Sequence, residues 1–199
     1  MDEIKHSRLG EIVEASTGFF KAQCYKLYAL PSFGTLVKTL ESNNEIFAVV
    51  CQASTMGLEP GRKPIARGQN EQSEESLFHT HPQLSKLLCS EFSALVVGHN
   101  NHGSIKHFLP PRPARIHGFV YSCNSEELLS FSHSLGFLSL LVNAELDTPA
   151  DELITAVLRG LCSSHEDSRS FMVKAGKELA ILLGQNYARL KTILEKIRL

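Results

Sequence analysis

The sequence predicts an α+β protein, with an N-terminal small β-barrel followed by a C-terminal α-helical subdomain. Three observations carry this. The first seventy residues hold four short β-rich runs separated by turn residues. Beyond Cys123 the apolar period changes from two to about 3.6. Hydrophobic residues make up 43% and charged residues 21% of the 199, enough to build a core and too apolar for global disorder.

The four runs are Leu9 to Thr17, Phe19 to Tyr25, Phe33 to Lys38 and Ile46 to Val50. Pro31-Ser-Phe-Gly34 is a turn signal, and Glu41-Ser-Asn-Asn44 fits a hairpin between its flanking runs. Glu59-Pro-Gly-Arg62 is another turn, and Pro64 suits an edge or a loop. The polar stretch Gln69 to Leu77 opens an insertion around 69–92, in which Leu84, Leu87, Leu88 and Phe92 have helical spacing from Pro82 onward. Ala94 to Gly98 and Ser104 to Leu109 flank the turn Asn100-Asn-His-Gly103, and Ile116 to Tyr121 forms a last strand. Pro110-Pro-Arg-Pro113 between them is a stiff connector. These strands assign residues 1–121 to the barrel and 122–199 to helices.

Asn124-Ser-Glu-Glu127 has the form of a capping box and starts a helix expected to run to Val142. Leu128, Leu129, Phe131, Leu135 and Phe137 crowd it nearly all round, the mark of a buried helix. Thr148-Pro-Ala-Asp151 opens a second helix ending near Ser163. Asp167 or Ser168 caps a third, stopped by Gly184, and a fourth presents Tyr187, Leu190, Leu194 and Ile197 on one face.

Composition narrows the function. Lys and Arg number 20 against 21 Asp and Glu, so no global field favours nucleic acid or an anionic membrane. Five widely spaced cysteines without a Cys-x-x-Cys read as buried thiols of a reducing compartment. The opening Met-Asp-Glu-Ile-Lys-His has no basic and apolar leader pattern, and apolar stretches such as Leu135 to Val142 are too short to span a bilayer. The expectation is a cytoplasmic protein without membrane insertion.

Leu9-Gly-Glu-Ile-Val-Glu14, Gly34-Thr-Leu-Val-Lys38 and Phe47-Ala-Val-Val50, followed by Gly61-Arg-Lys-Pro-Ile-Ala-Arg-Gly68, resemble the HAS-barrel. That domain is shared by the N-termini of HerA-type DNA translocases and of rotary ATP synthase α and β subunits. The resemblance covers residues 7–70 and, more weakly, the strands to 121. It implies a stand-alone barrel of the kind that holds neighbouring subunits in a ring while a separate P-loop domain does the chemistry. The P-loop is missing here. Ala175-Gly-Lys-Glu178 has Phe171 where the upstream glycine belongs and Glu178 where the Ser or Thr belongs, and lies in a helical stretch.

Arg62, Lys63 and Arg67, and separately Arg112 and Arg115, form two basic loops that could hold phosphate, nucleic acid or a partner's acidic surface. Phe78-His-Thr-His-Pro82 resembles the zinc motif of the JAMM isopeptidases through His79 and His81. Ser93 stands where the third ligand, an Asp, would follow Ser90. His99, His102 and His107 form a looser cluster across a hairpin, and His117 reads as a core or interface histidine. Cys51 and Cys89 would need a paired base to act as nucleophiles, so burial is the expected role. The sum is a non-enzymatic interaction or assembly protein that needs no cofactor. Its partner would be a second copy of itself or a barrel-bearing ring ATPase. The alternatives are a nucleic-acid-associated accessory protein using the five basic residues and a metal-dependent hydrolase using His79 and His81.

Overall fold

The computed structural model describes residues 8–42, 44–59, 61 and 63–197. Its strands are β1 (Arg8–Ala15), β2 (Phe19–Cys24), β3 (Leu36–Glu41), β4 (Asn44–Gly57), β5 (Leu88–Asn101), β6 (Ser104–Lys106) and β7 (Phe119–Ser122). Every pairing is antiparallel, in the order β2-β1-β7-β3-β4-β5. β5 then returns to β2 through the register Phe19↔Leu95 to Gln23↔Glu91, which closes a six-stranded barrel. Closure removes the free edges that an open sheet of this composition would expose. β6 is a short flap on the far end of β5.

Period-2 alternation fills the barrel. Ile12, Phe20 and Phe92 supply its bulk, Ala22, Ala48 and Ala94 make room for them, and Val37, Ile46, Val50 and Val120 close the gaps. Bulges between Ile12 and Glu14 in β1, and between Val50 and Gln52 in β4, bend the long strands around this interior.

The helices are α1 (Glu74–Thr80), followed by a 3₁₀ turn (Pro82–Lys86), then α2 (Ser125–Ser132), α3 (Leu138–Val142), α4 (Ala150–Cys162), α5 (Ser168–Leu183) and α6 (Tyr187–Ile197). α2 to α6 lie against the outside of β3, β4 and β5. Leu36, Phe47, Val49, Cys51 and Val97 point outward from these strands into one core with Phe131, Phe137, Leu153, Val157 and Leu161. The unbroken apolar run Ile46 to Cys51 follows from this, because that part of β4 is buried on both faces. Gly34 allows a close approach between the barrel and α4. It has φ +83°, and a Cβ there would lie 2.5 Å from the Ala156 Cβ of α4.

The capping box holds as read. Asn124 Oδ1 accepts from the Glu127 N–H and Glu127 Oε2 from the Asn124 N–H, both at 2.9 Å. Glu127 also takes a hydrogen bond from Lys38 Nζ on β3, which bonds Glu45 Oε1 at 2.6 Å. One cation thus ties the start of the helical region to the barrel wall. Asp167 caps α5 through the Ser170 N–H at 2.9 Å, and Gly184 ends it with φ +56°.

Three sequence readings are corrected. Residues 82–92 are not a helix: Pro82 to Lys86 forms a 3₁₀ turn, and from Leu88 the chain is already β5. The inter-strand ladder with β4, which runs from Gly57↔Leu88 to Phe47↔Gly98 through two bulges, overrides the local helical spacing and puts Phe92 inside the barrel. The connection between β4 and β5 therefore spans 58–87. The helix expected from Asn124 to Val142 is two, broken around Gly136, where a Cβ would lie 3.3 Å from the Cβ of His107. In α6 the inward face is Ile193 and Ile197, with Tyr187 exposed.

Candidate functional site

Two surfaces stand out, and both follow from how the barrel is built. The first is the β4–β5 connection. The ladder runs past the barrel wall to Gly57↔Leu88 and is extended by the Leu58 N–H donating to the Leu87 carbonyl at 2.8 Å. The chain then makes an irregular loop, α1 and the 3₁₀ turn. Ser73 caps α1 reciprocally with Ser76. Tyr28, in the left-handed region at φ +64°, comes up beneath this insertion. Its N–H donates to Ser90 Oγ at 2.8 Å, and Ser90 Oγ lies 2.7 Å from Thr55 Oγ1. The Tyr28 ring meets Phe78 of α1 edge-on at 6.4 Å.

Between the loop Pro64 to Gly68 and the apolar side of α1 and the 3₁₀ turn lies a groove of about 440 Å³, within the usual range for a small-molecule site. Its walls are Leu77, Phe78, Leu84 and Leu87 on one side and Pro64, Ile65 and Ala66 on the other. Lys63, Arg67 and Glu59 also line it. Ile65 is 74% and Tyr28 57% exposed, so the groove opens to solvent.

Lys63 and Arg67 are thus placed together, whereas Arg62 lies outside the described residues. Arg112 and Arg115 are elsewhere. Arg115 Nε sits 3.8 Å from Glu41 Oε2, beside the hairpin that starts β4, while Lys63 and Arg67 follow its other end. The two basic loops flank opposite ends of one strand rather than one mouth. His79 and His81 end α1 and do not line the groove. No group of three or more His, Cys, Asp or Glu is placed to hold a metal ion among the described residues.

Two of the other histidines, His99 and His107, are built into packing. His99 is buried with Nδ1 3.2 Å from the Phe108 carbonyl oxygen, and His102 is in the turn at φ +51°. His107 packs edge-on to Phe131 and Phe137 with ring centroids 4.7 and 5.5 Å away, and its Nε2 is buried without a hydrogen-bond partner. Burial holds its imidazole below the usual range. Sequence reasoning gave no sign of the contact between Ser132 Oγ and His165 Nε2, 2.8 Å apart. Ser132 Oγ also donates to the Leu128 carbonyl at 2.6 Å, which ties the hydroxyl to its own helix. Cys24, Cys51, Cys89 and Cys162 are buried free thiols, and Cys123 is half-buried. Burial, with Glu91 nearby, pushes Cys24 up to about 11, and burial pushes Cys123 up to about 12. Burial raises Cys51 and Cys89 as well, so none of these four is a ready thiolate.

The second surface is the half of the barrel wall away from α2 to α6. Here the Arg8 guanidinium lies 3.8 Å over the Phe119 ring, with Tyr121 at 5.9 Å. His117 Nδ1 is 2.5 Å from Glu11 Oε1, and Tyr25 Oη donates to Glu11 Oε2 at 3.2 Å. The bond to His117, above all, holds Glu11 below the usual carboxylate range. Tyr25 and Ile116 are each 51% exposed and Phe119 38%. His117 belongs to this outer face and not to a core.

No model of a known protein family and no curated protein sequence matches the chain. No helix among the described residues is long and apolar enough to cross a membrane.

Proposed function

We propose that this protein is a non-enzymatic interaction module whose barrel engages another protein through the face made by β1, β7 and the end of β2. The observation that carries this reading is the unequal cover of the barrel wall. The outer faces of β3, β4 and β5 bury Leu36, Phe47, Val49, Cys51 and Val97 under helices, while the opposite wall leaves an aromatic patch with a stacked arginine open to solvent. Tyr, Phe and Arg are the residue types that concentrate binding energy at protein interfaces. The resemblance of the barrel strands to the HAS-barrel supports the same reading and suggests the partner. It would be a second copy of this chain or the barrel of a ring ATPase, with this chain supplying the assembly part without a P-loop.

The test is size-exclusion chromatography with light scattering across concentration, on the wild type and on Phe119→Glu. A concentration-dependent oligomer that reverts to monomer in Phe119→Glu fits self-association through this face. If the wild type is a monomer, capture of a purified ring ATPase bearing a HAS-barrel is expected, and Phe119→Glu should abolish it. A monomer that captures no such partner, or an oligomer indifferent to Phe119→Glu, overturns the reading.

A further inference from the structure

The groove in the β4–β5 connection lies beyond the end of β4 and shares no residue with the barrel face, so what it binds is a separate question. Its walls are side chains of Leu77, Phe78, Leu84, Leu87 and Ile65. Its polar side chains among the described residues are few: Gln83, Glu59, Lys63, Arg67 and the Tyr28 hydroxyl. A peptide laid here would bring one N–H and one carbonyl per residue, and a wall of leucines and phenylalanine offers them no partners. A hydrocarbon or aryl body has no such groups to satisfy. Among the described residues Lys63, Arg67 and Glu59 are the charged groups that line the cavity, and the acidic first turn of α1, Glu74 and Glu75, does not line it. The complementary ligand is apolar in its body and anionic at one end.

We propose that this groove is a binding site for a small anionic amphiphile, a medium-length acyl or aryl carboxylate, with its apolar body on Leu77, Phe78, Leu84 and Leu87 and its carboxylate between Lys63 and Arg67. The insertion provides what the barrel cannot. The barrel interior is filled by its own side chains, whereas α1 and the loop Pro64 to Gly68 hold two apolar walls apart.

The experiment measures displacement of anilinonaphthalene sulfonate from the full chain by decanoate, decanamide and decyltrimethylammonium, all below micelle-forming concentrations. Decanoate is expected to displace the dye at a concentration roughly fivefold lower than decanamide, the size of a solvent-exposed charge interaction. The Lys63→Glu/Arg67→Glu variant should lose that advantage and favour the ammonium compound. Both positions are exposed, so its thermal midpoint should match the wild type. The chain contains no tryptophan, so Ala66→Trp adds a lone reporter in the wall. Its emission should shift with decanoate and not with acetate. Equal displacement by decanoate and decanamide, an unchanged preference in the charge-reversed variant, or a tryptophan indifferent to decanoate would each overturn the proposal. So would decanoate that leaves the dye in place.

Discussion

Strands β4 and β1 are walls of one barrel, yet they solve different problems. β4 turns Ile46, Ala48 and Val50 inward and Phe47, Val49 and Cys51 outward, and all six are buried. β1 turns Ile12 inward, and its outer side carries Glu11, with Val13 exposed at the bulge and Arg8 lying on Phe119 of β7. The difference lies in what covers the outer face. An apolar outer face is stable only under a second layer, and among the described residues α2 to α6 supply one for β4 and none for β1. A barrel covered on one side has two unlike walls, one packed under helices and one facing solvent.

The comparison can be broken hardest at the covered wall. Phe131 is fully buried, with ring centroids 5.2 Å from Phe47 and 5.0 Å from Phe137. Phe131→Ala should cost about 3–5 kcal/mol of stability in urea unfolding, in line with other large-to-small aromatic changes in cores. Gly34→Ala comes next. Its Cβ would strike the backbone and side chain of Ala156 from a left-handed conformation, for about 2–4 kcal/mol. Either change should act on barrel and helices together, so tyrosine fluorescence and far-ultraviolet circular dichroism should report one shared transition.

The polar tie between the layers should matter less. Lys38→Met leaves Glu45 and Glu127 without their cation in a partly buried site, for about 1–3 kcal/mol. Burial opposes the charge on Glu45, but its bonds to Lys38 and Asn100 prevail and hold the carboxyl below the ordinary 4.5. A depressed carboxyl stabilises the fold above that value, and the contribution disappears as pH falls through the folded-state pKa. Glu45→Gln should flatten the acid limb of stability below about pH 4.5. His107 gives the same sign at higher pH. Burial depresses it below 6.5, so its neutral form favours the fold above that pH, and stability falls on acidification. His107→Leu should remove part of that loss, read as the denaturation midpoint between about pH 7 and about pH 5, a span that brackets the imidazole range.

The smallest stability effect belongs to the open wall. Phe119→Ala should cost under about 1 kcal/mol, because its ring meets solvent and one guanidinium rather than a core. Its effect on association should be far larger than on folding. A large loss of stability there would mean that the open wall is covered after all.

Much of this was legible in the chain itself. Alternation and turn residues at Pro31 to Gly34, Glu41 to Asn44 and Asn100 to Gly103 determined the strands and hairpins, because period and turn chemistry are local properties. Asn124, Asp167 and Gly184 determined helix ends for the same reason. Closure was decided elsewhere, by β2 pairing with β5 some seventy residues later, and so was the strand identity of Leu88 to Phe92, whose spacing reads as helical until β4 lies beside it. Tertiary structure alone placed Lys63 and Arg67 at the rim of a groove and Arg115 at the far end of β4. It alone brought Arg8 over Phe119. Such groupings depend on where the chain returns in space. Spacing along the sequence carries no record of it, because one pattern of loops and charges suits several ways of closing a barrel.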